Sequence, residues 1–229
     1  MSGPGEIWAV IPVKETEGAK QRLAPLLSPA LRQALALAML EDVLAAVASV
    51  TGLGGAILVT VDPQAERLAR SYGMTTLADG AHDGHTGAVN AGARHLVAQG
   101  RVTLLTVPGD IPLASAPEIE QLIAAHRPAP AFTIAPAHDD LGSNAILMSP
   151  LRAVPLRFGE DSFFPHLAAA RAQGIEPCVV RLPGIAFDID NPQDLHHFAQ
   201  LGSTTRAGTL ISSYATEIGR AAAPLKARG

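Results

Sequence analysis

Two unbroken apolar runs constrain this chain more than any other feature: "GAILVTV" at residues 55–61 and "VTLLTV" at residues 102–107. A strand with one wet face alternates apolar and polar side chains. A continuous run suits a strand covered on both faces, as in a largely parallel sheet between helical layers. Parallel strands need long crossovers, and stretches with helical spacing lie between the runs.

The periodicity predicts strands at residues 7–13, 56–61, 74–77, 101–107, 131–135, 144–148, 177–182 and 185–189. Helices are expected at 29–50, 63–72, 85–99, 117–126, 161–173 and 192–201. In the first helix Leu31, Leu35, Met39 and Val43 form one stripe. Gly73, Gly100 and Gly174 stand where helices should stop. The later strands follow one another too closely for every connection to hold a helix. The expected fold is therefore α/β: a Rossmann-like mixed sheet with at least one antiparallel strand, in three α/β/α layers. Residues 1–202 read as one domain and 203–229, rich in Ala, Ser, Thr and Arg, as a C-terminal extension. That extension is a candidate surface helix, dimer contact or unstructured tail.

Composition removes several classes. Apolar residues make up 48% of the 229, enough for a sizeable core, and the net charge is −4. A nucleic-acid or membrane-surface binder needs a dominant basic field, which is absent. The single cysteine, Cys178, excludes an internal disulfide framework and reads as a buried thiol. With neither a signal-like N-terminus nor a membrane-length apolar stretch, the expected location is the cytoplasm.

In open α/β sheets ligands bind beyond the carboxyl ends of the strands. Six polar segments fall there. "PVKETEGAKQRLAPLL" follows the first strand and carries Lys14, Lys20 and Arg22, cations able to wrap a triphosphate; it is equally a solvated basic loop. It is not a Walker A motif, because Gly-x4-Gly-Lys-Ser/Thr is missing. "LADGAHDGHTGAVNAGA" is rich in glycines, Gly87 among them, and places Asn90 where an amide suits the edge of a base; alternatively it is a turn with a cap. His82, Asp83 and His85 lack further partners for a metal cluster. "PGDIPL" places Asp110 after the fourth strand, either to cap the next helix or to hold a cation. The first good helical residues come several positions later, which weighs against the cap.

"DDLGSNAILMSP" contributes Ser143 and Asn144, and "RFGEDSFFPHL" contributes Gly159 and Ser162 at a helix start able to receive a phosphate. The alternative is that Asp161 or Ser162 only caps the helix. Asp188 and Asp190 in "AFDIDNPQDL" would point to one face of a strand, and two close carboxylates call for a cation. A cap at Asp190 or Asn191 explains part of this segment but not Asp188.

"PVK" with "AKQRLAPLL", "NAG", "PGDIP", "GSNAILMSP", "FGEDSFFPH" and "DIDNPQDL" run in order from Ile11 to Leu195. Together they resemble the guanylyltransferases that activate a small phosphorylated carboxylic acid on the route to coenzyme F420. The acids used in that family are 2-phospho-L-lactate, phosphoenolpyruvate and 3-phospho-D-glycerate. The resemblance implies the nucleotide-diphospho-sugar transferase fold, GTP as donor and Mg²⁺ as cofactor. It implies Lys14, Lys20 and Arg22 at the triphosphate, and Gly87, Asn90 and Asp110 near the nucleotide. Asp110 and one or both of Asp188 and Asp190 would bind metal, and Ser143, Gly159 and Ser162 the acceptor's phosphate. Ser143 and Gln21 stand where the family often has Thr and Ser. Rival readings are a molybdopterin or sugar-phosphate nucleotidyltransferase of the same fold and a GTP-binding regulator without catalysis. The first usually carries an Arg-Met-Gly-like loop after its first strand. The second would have little use for three carboxylates at one edge.

Overall fold

The computed structural model describes residues 7–159 and 161–214. Residues 215–229 of the expected C-terminal extension lie outside the described residues. Among the described residues there are seven strands: β1 (Ile7–Pro12), β2 (Leu53–Val59), β3 (Thr75–Leu77), β4 (Thr103–Thr106), β5 (Ala131–Pro136), β6 (Ser143–Ser149) and β7 (Cys178–Val179). They form one sheet in the order β3-β2-β1-β4-β6-β5-β7. Only the β6 pairings, to β4 and to β5, are antiparallel, so the sheet is mixed as expected. The helices are α1 (Pro29–Ala48), α2 (Pro63–Ser71), α3 (Gly84–Ala98), α4 (Ala116–Ala124), α5 (Phe163–Ala172), α6 (Pro192–Gln200) and α7 (Arg206–Ser213).

The unbroken apolar runs are explained by two cores, one on each face of the sheet. Ala9, Ile11, Leu58, Leu105 and Leu147 face the core shared with α1, α2 and α4. Val10, Ile57, Val59, Leu104, Ile146 and Met148 face the one shared with α3 and α5. Successive residues of one strand thus serve opposite layers. A third core joins the stripe Leu31, Leu35 and Met39 of α1 to Phe187, Ile189, Leu195, Phe198 and, from α7, Ala207 and Ile211. The start of α7 is fixed by Asp42, whose carboxylate accepts the backbone N–H groups of Arg206 (2.8 Å) and Ala207 (2.9 Å).

Three expectations change. Residues 185–189 form no strand; they continue from a turn at 183–186 as irregular extended chain. The alternation nevertheless survives: Ile185, Phe187 and Ile189 are buried, and Asp188 and Asp190 are half-buried. Burial of Phe187 and Ile189 in the third core sets this pattern, so no hydrogen-bonded partner strand is required. The strand expected at 177–182 shrinks to Cys178–Val179, and Cys178 is half-buried because β7 is a short edge. Helix α3 spans Gly84–Ala98, within a residue of the expected 85–99, but its N-cap position is Asp83, so Asn90 is mid-helix and is not a cap.

Candidate active site

The chain order places β2 and β3 on one side of β1, while β4 lies on the other. The loops leaving β1 and β4 therefore part at a topological switch point, where α/β sheets bind ligands. A cleft of about 1130 Å³ opens there.

The loop after β1 is fixed from both sides. The Thr16 backbone N–H donates to Asp62 Oδ2 at 2.7 Å, and the Thr16 hydroxyl donates to the same oxygen. Asp62 Oδ1 meanwhile caps α2 through Gln64 and Ala65. Burial pushes the Asp62 pKa up, but these hydrogen bonds outweigh it and hold the group below the usual carboxylate range. From α1, buried Arg32 donates to the carbonyls of Ala19 (3.2 Å) and Leu27 (3.0 Å). Lys20 sits between these anchors in the left-handed region, φ 53°. Its ammonium is aimed across the cleft.

That ammonium lies 2.8 Å from Asp110 Oδ2 and 2.7 Å from Asp190 Oδ1. Burial disfavours the Lys20 charge, but the two carboxylates outweigh it and raise its pKa above the ordinary lysine value. For Asp110 burial acts upward and Lys20 downward; the lysine prevails. Asp188 is different. Burial first, then the charges of Asp110 and Asp190, push it up to about 6. Asn144 Nδ2 approaches its Oδ1 at 3.4 Å, and His138 Nδ1 at 3.7 Å.

Local architecture brings these acids together. Gly109 lets the β4 loop press against the β1 layer: a Cβ there would sit 2.9 Å from Val13 Cγ2. Glu118 of α4 accepts the Gly184 N–H at 2.7 Å, and Asn144 Nδ2 donates to the Ile185 carbonyl at 3.0 Å, which steer the 185–190 chain toward Asp110. Asp194 Oδ2 then accepts the N–H groups of Asp190 and Asn191, each at 2.9 Å. None of the three acids caps a helix. Ser115 is the N-cap of α4, and Asn191 caps α6 in a capping box with Asp194.

A neutral cluster also reaches the cleft, through Ser143 and Ser162. Ser143, at the start of β6, lies 2.9 Å from His166 Nδ1 and accepts from Ser162 Oγ at 3.2 Å. His166 Nε2 accepts the Arg157 N–H at 3.0 Å. Ser162 precedes α5 but its side chain makes no capping hydrogen bond, so its hydroxyl serves the cluster instead. The Phe163 N–H donates to the Leu141 carbonyl at 2.8 Å and ties the two segments together. His85 stacks on Phe158 with ring centroids 4.2 Å apart, and burial depresses its pKa to about 4.

Of the residues singled out from sequence, Lys14, Lys20, Arg22, Asp110, Ser143, Gly159, Ser162, Asp188 and Asp190 all line this cleft. Gly87 and Asn90 do not; Asn90 lines a separate cavity of about 410 Å³ with Arg94 and Arg152. Its mid-helix position turns it away. Gly92 of the same "NAG" motif is a packing residue: a Cβ there would lie 2.6 Å from Val10 Cγ1. His82 is exposed, whereas Asp83 and His85 line the cleft. Sequence reasoning passed over Thr16, Asp62, Arg32, Glu118, Asp194 and His166. A capping box was readable at Asn191–Asp194; the long-range partners carried no local signal.

Among the described residues no group of three or more His, Cys, Asp or Glu forms a ready-made metal cage. Mg²⁺ commonly takes only one or two carboxylates and completes its shell with water and phosphate oxygens. The hard oxygens of Asp110, Asp188 and Asp190 fit that habit, and the raised Asp188 pKa marks negative charge in need of a cation.

The chain resembles solved nucleotidyltransferase-type folds. A putative nucleotide-diphospho-sugar transferase from Desulfovibrio desulfuricans G20 superposes with a TM-score of 0.77 at 16% identity, covering 94% of this chain and 98% of that one. In sequence the chain is 34% identical over 202 residues to a phosphoenolpyruvate guanylyltransferase of Conexibacter woesei, covering 88% of this chain and 91% of that protein. It is 36% identical to a 3-phospho-D-glycerate guanylyltransferase of Colwellia psychrerythraea, covering 85% and 91%. The family model described as "Guanylyl transferase CofC like" matches residues 7–224, and the chain belongs to that guanylyltransferase family.

Proposed function

We propose that this protein joins the GMP moiety of GTP to a small phosphorylated carboxylic acid, releasing pyrophosphate, in coenzyme F420 biosynthesis. The observation that carries the reading is the cleft at the switch point. Cations from the β1 loop and carboxylates from two distant segments meet there, with a buried serine pair in the same lining. The relatives' names point to phosphoenolpyruvate or 3-phospho-D-glycerate as acceptor.

In this reading a phosphate oxygen of the acceptor attacks the α-phosphorus of GTP. A new anhydride bond forms, the α–β anhydride breaks, and the electron pair leaves on pyrophosphate. A phosphate oxygen is already anionic near neutral pH, so no general base is needed. Lys14, Lys20 and Arg22 bind the triphosphate and stabilise charge on the leaving group. Ser143, Ser162 and the Gly159 backbone hold the acceptor's anionic group. Asp110, Asp188 and Asp190 are the residues that would hold Mg²⁺, which when bound neutralises repulsion between the two polyanions. The chain's own contribution is alignment of the reactants.

The test is a competition: purified protein, GTP and Mg²⁺ with phosphoenolpyruvate, 3-phospho-D-glycerate and 2-phospho-L-lactate together. Mass spectrometry should find one guanylylated acid and stoichiometric pyrophosphate. GTP binding without pyrophosphate release would make the protein a nucleotide-binding regulator instead.

A further inference from the structure

His166 is buried, 1% exposed, and takes no part in the chemistry above. Its Nε2 receives the Arg157 backbone N–H at 3.0 Å. A backbone N–H can only donate, so Nε2 carries no proton. A neutral imidazole holds one proton, which must then sit on Nδ1. Burial, with a smaller effect from His85, lowers the His166 pKa to about 4 and keeps the ring neutral near neutral pH. Nδ1–H points at Ser143 Oγ, 2.9 Å away. The Ser162 hydroxyl donates to the same oxygen at 3.2 Å. A hydroxyl oxygen has two lone pairs, and both on Ser143 are now engaged. What Ser143 has left to offer is its own O–H, and both serines line the cleft.

We propose that His166 is a positioning residue that makes Ser143 an obligate hydrogen-bond donor to an anionic oxygen of the acceptor acid. The proposal rests on the guanylyl-transfer reading and adds a direction to it. A serine free to rotate can present a lone pair to an incoming anion and repel it. A serine whose lone pairs are filled from behind cannot. The order of donors runs one way: Arg157 N–H to His166, His166 to Ser143, Ser143 to the acid.

The tautomer is measurable in the free full-length protein by long-range proton–nitrogen NMR correlation of labelled histidine. The expected pattern has the proton on Nδ1 of His166; a proton on Nε2, or a charged ring near neutral pH, would overturn the proposal. The kinetic arm uses whichever acid the wild type guanylylates. His166→Phe should raise the KM for that acid about tenfold or more, the scale of a lost hydrogen bond to a charged group, while the KM for GTP moves less than about twofold. His166→Asn keeps an amide donor near the place of Nδ1 and should recover most of the loss. If His166→Phe does not fold, Ser143→Ala and Ser143→Thr decide: Ala should lose affinity for the acid and Thr should keep it. An unchanged acid KM in Ser143→Ala, or equal rises in both KM values, overturns the proposal. A wild type that guanylylates no acid overturns the function reading, and this inference with it, before any variant is made.

Discussion

Two parts of the cleft hold themselves together by opposite means. One is a charged wall, where Lys20 spans Asp110 and Asp190 at 2.8 and 2.7 Å while Asp188 stays uncomfortable beside them. The other is a neutral wall, where Ser143, Ser162 and His166 are linked by directional hydrogen bonds and are all buried. Coulomb attraction is long-ranged and tolerant of angle, so the charged wall suits charged groups that shift position during a reaction. Hydrogen bonds are short and angular, so the neutral wall can fix one group in one orientation. A reaction that joins two polyanions needs both kinds of surface.

The comparison can be broken most severely on the charged side. Asp110→Asn should lower kcat by at least about two orders of magnitude, the scale of a lost electrostatic catalyst, with unchanged circular dichroism. A near-normal rate in a folded variant would remove Asp110 from the chemistry. Next in size is the mount of the charged wall. Arg32→Met deletes the donors to the Ala19 and Leu27 carbonyls that hold Lys20 in its left-handed conformation. It should lower kcat/KM for GTP about tenfold, as expected for lost charge-assisted bonds, and leave the acid's KM unchanged. Equal losses for both substrates would mean that Arg32 supports the whole fold rather than one wall.

A smaller effect appears as stability. Asp188 is raised to about 6 by burial and by its acidic neighbours, above its ordinary 3.8. The folded state therefore holds this proton more tightly than the unfolded chain. The resulting penalty is absent below the unfolded pKa, grows as pH rises and is complete above about 6. Asp188→Asn should accordingly stabilise the metal-free protein near neutral pH by on the order of 1–2 kcal/mol, and hardly at all near pH 4. Thermal denaturation in the presence of a chelator, at both pH values, checks this. A variant less stable than wild type at neutral pH would show that the Asn144 and His138 contacts outweigh the repulsion. The least effect is expected from Asn90→Ala. Asn90 lies in a different cavity, so the KM for GTP should change less than about twofold, within the usual reach of a surface-type substitution. A tenfold rise would return Asn90 to the nucleotide site.

Much of the fold was legible because burial on two faces leaves a mark in every strand residue. The runs at 55–61 and 102–107 announced a covered sheet, and Gly73 and Gly174 marked helix ends. Strand 185–189 misled because alternation reports burial on one side, not pairing; Phe187 and Ile189 alternate into a helical core instead. "NAG" misled in another way. Gly92 is there because α3 crosses β1 too closely for a side chain, and that approach is invisible along the chain.

By itself the sequence determined the layering of the molecule and the chemical types at the strand ends, because hydrophobic periodicity and the punctuation of glycine and proline are local. Only the tertiary structure decided which of those groups meet. Lys20 finds Asp110 ninety residues on and Asp190 a further eighty beyond, and His166 reaches Ser143 across the end of the sheet. The physical reason is that partners of this kind are chosen by strand order and by close approach between loops, and neither leaves a trace in the spacing of residues along the chain.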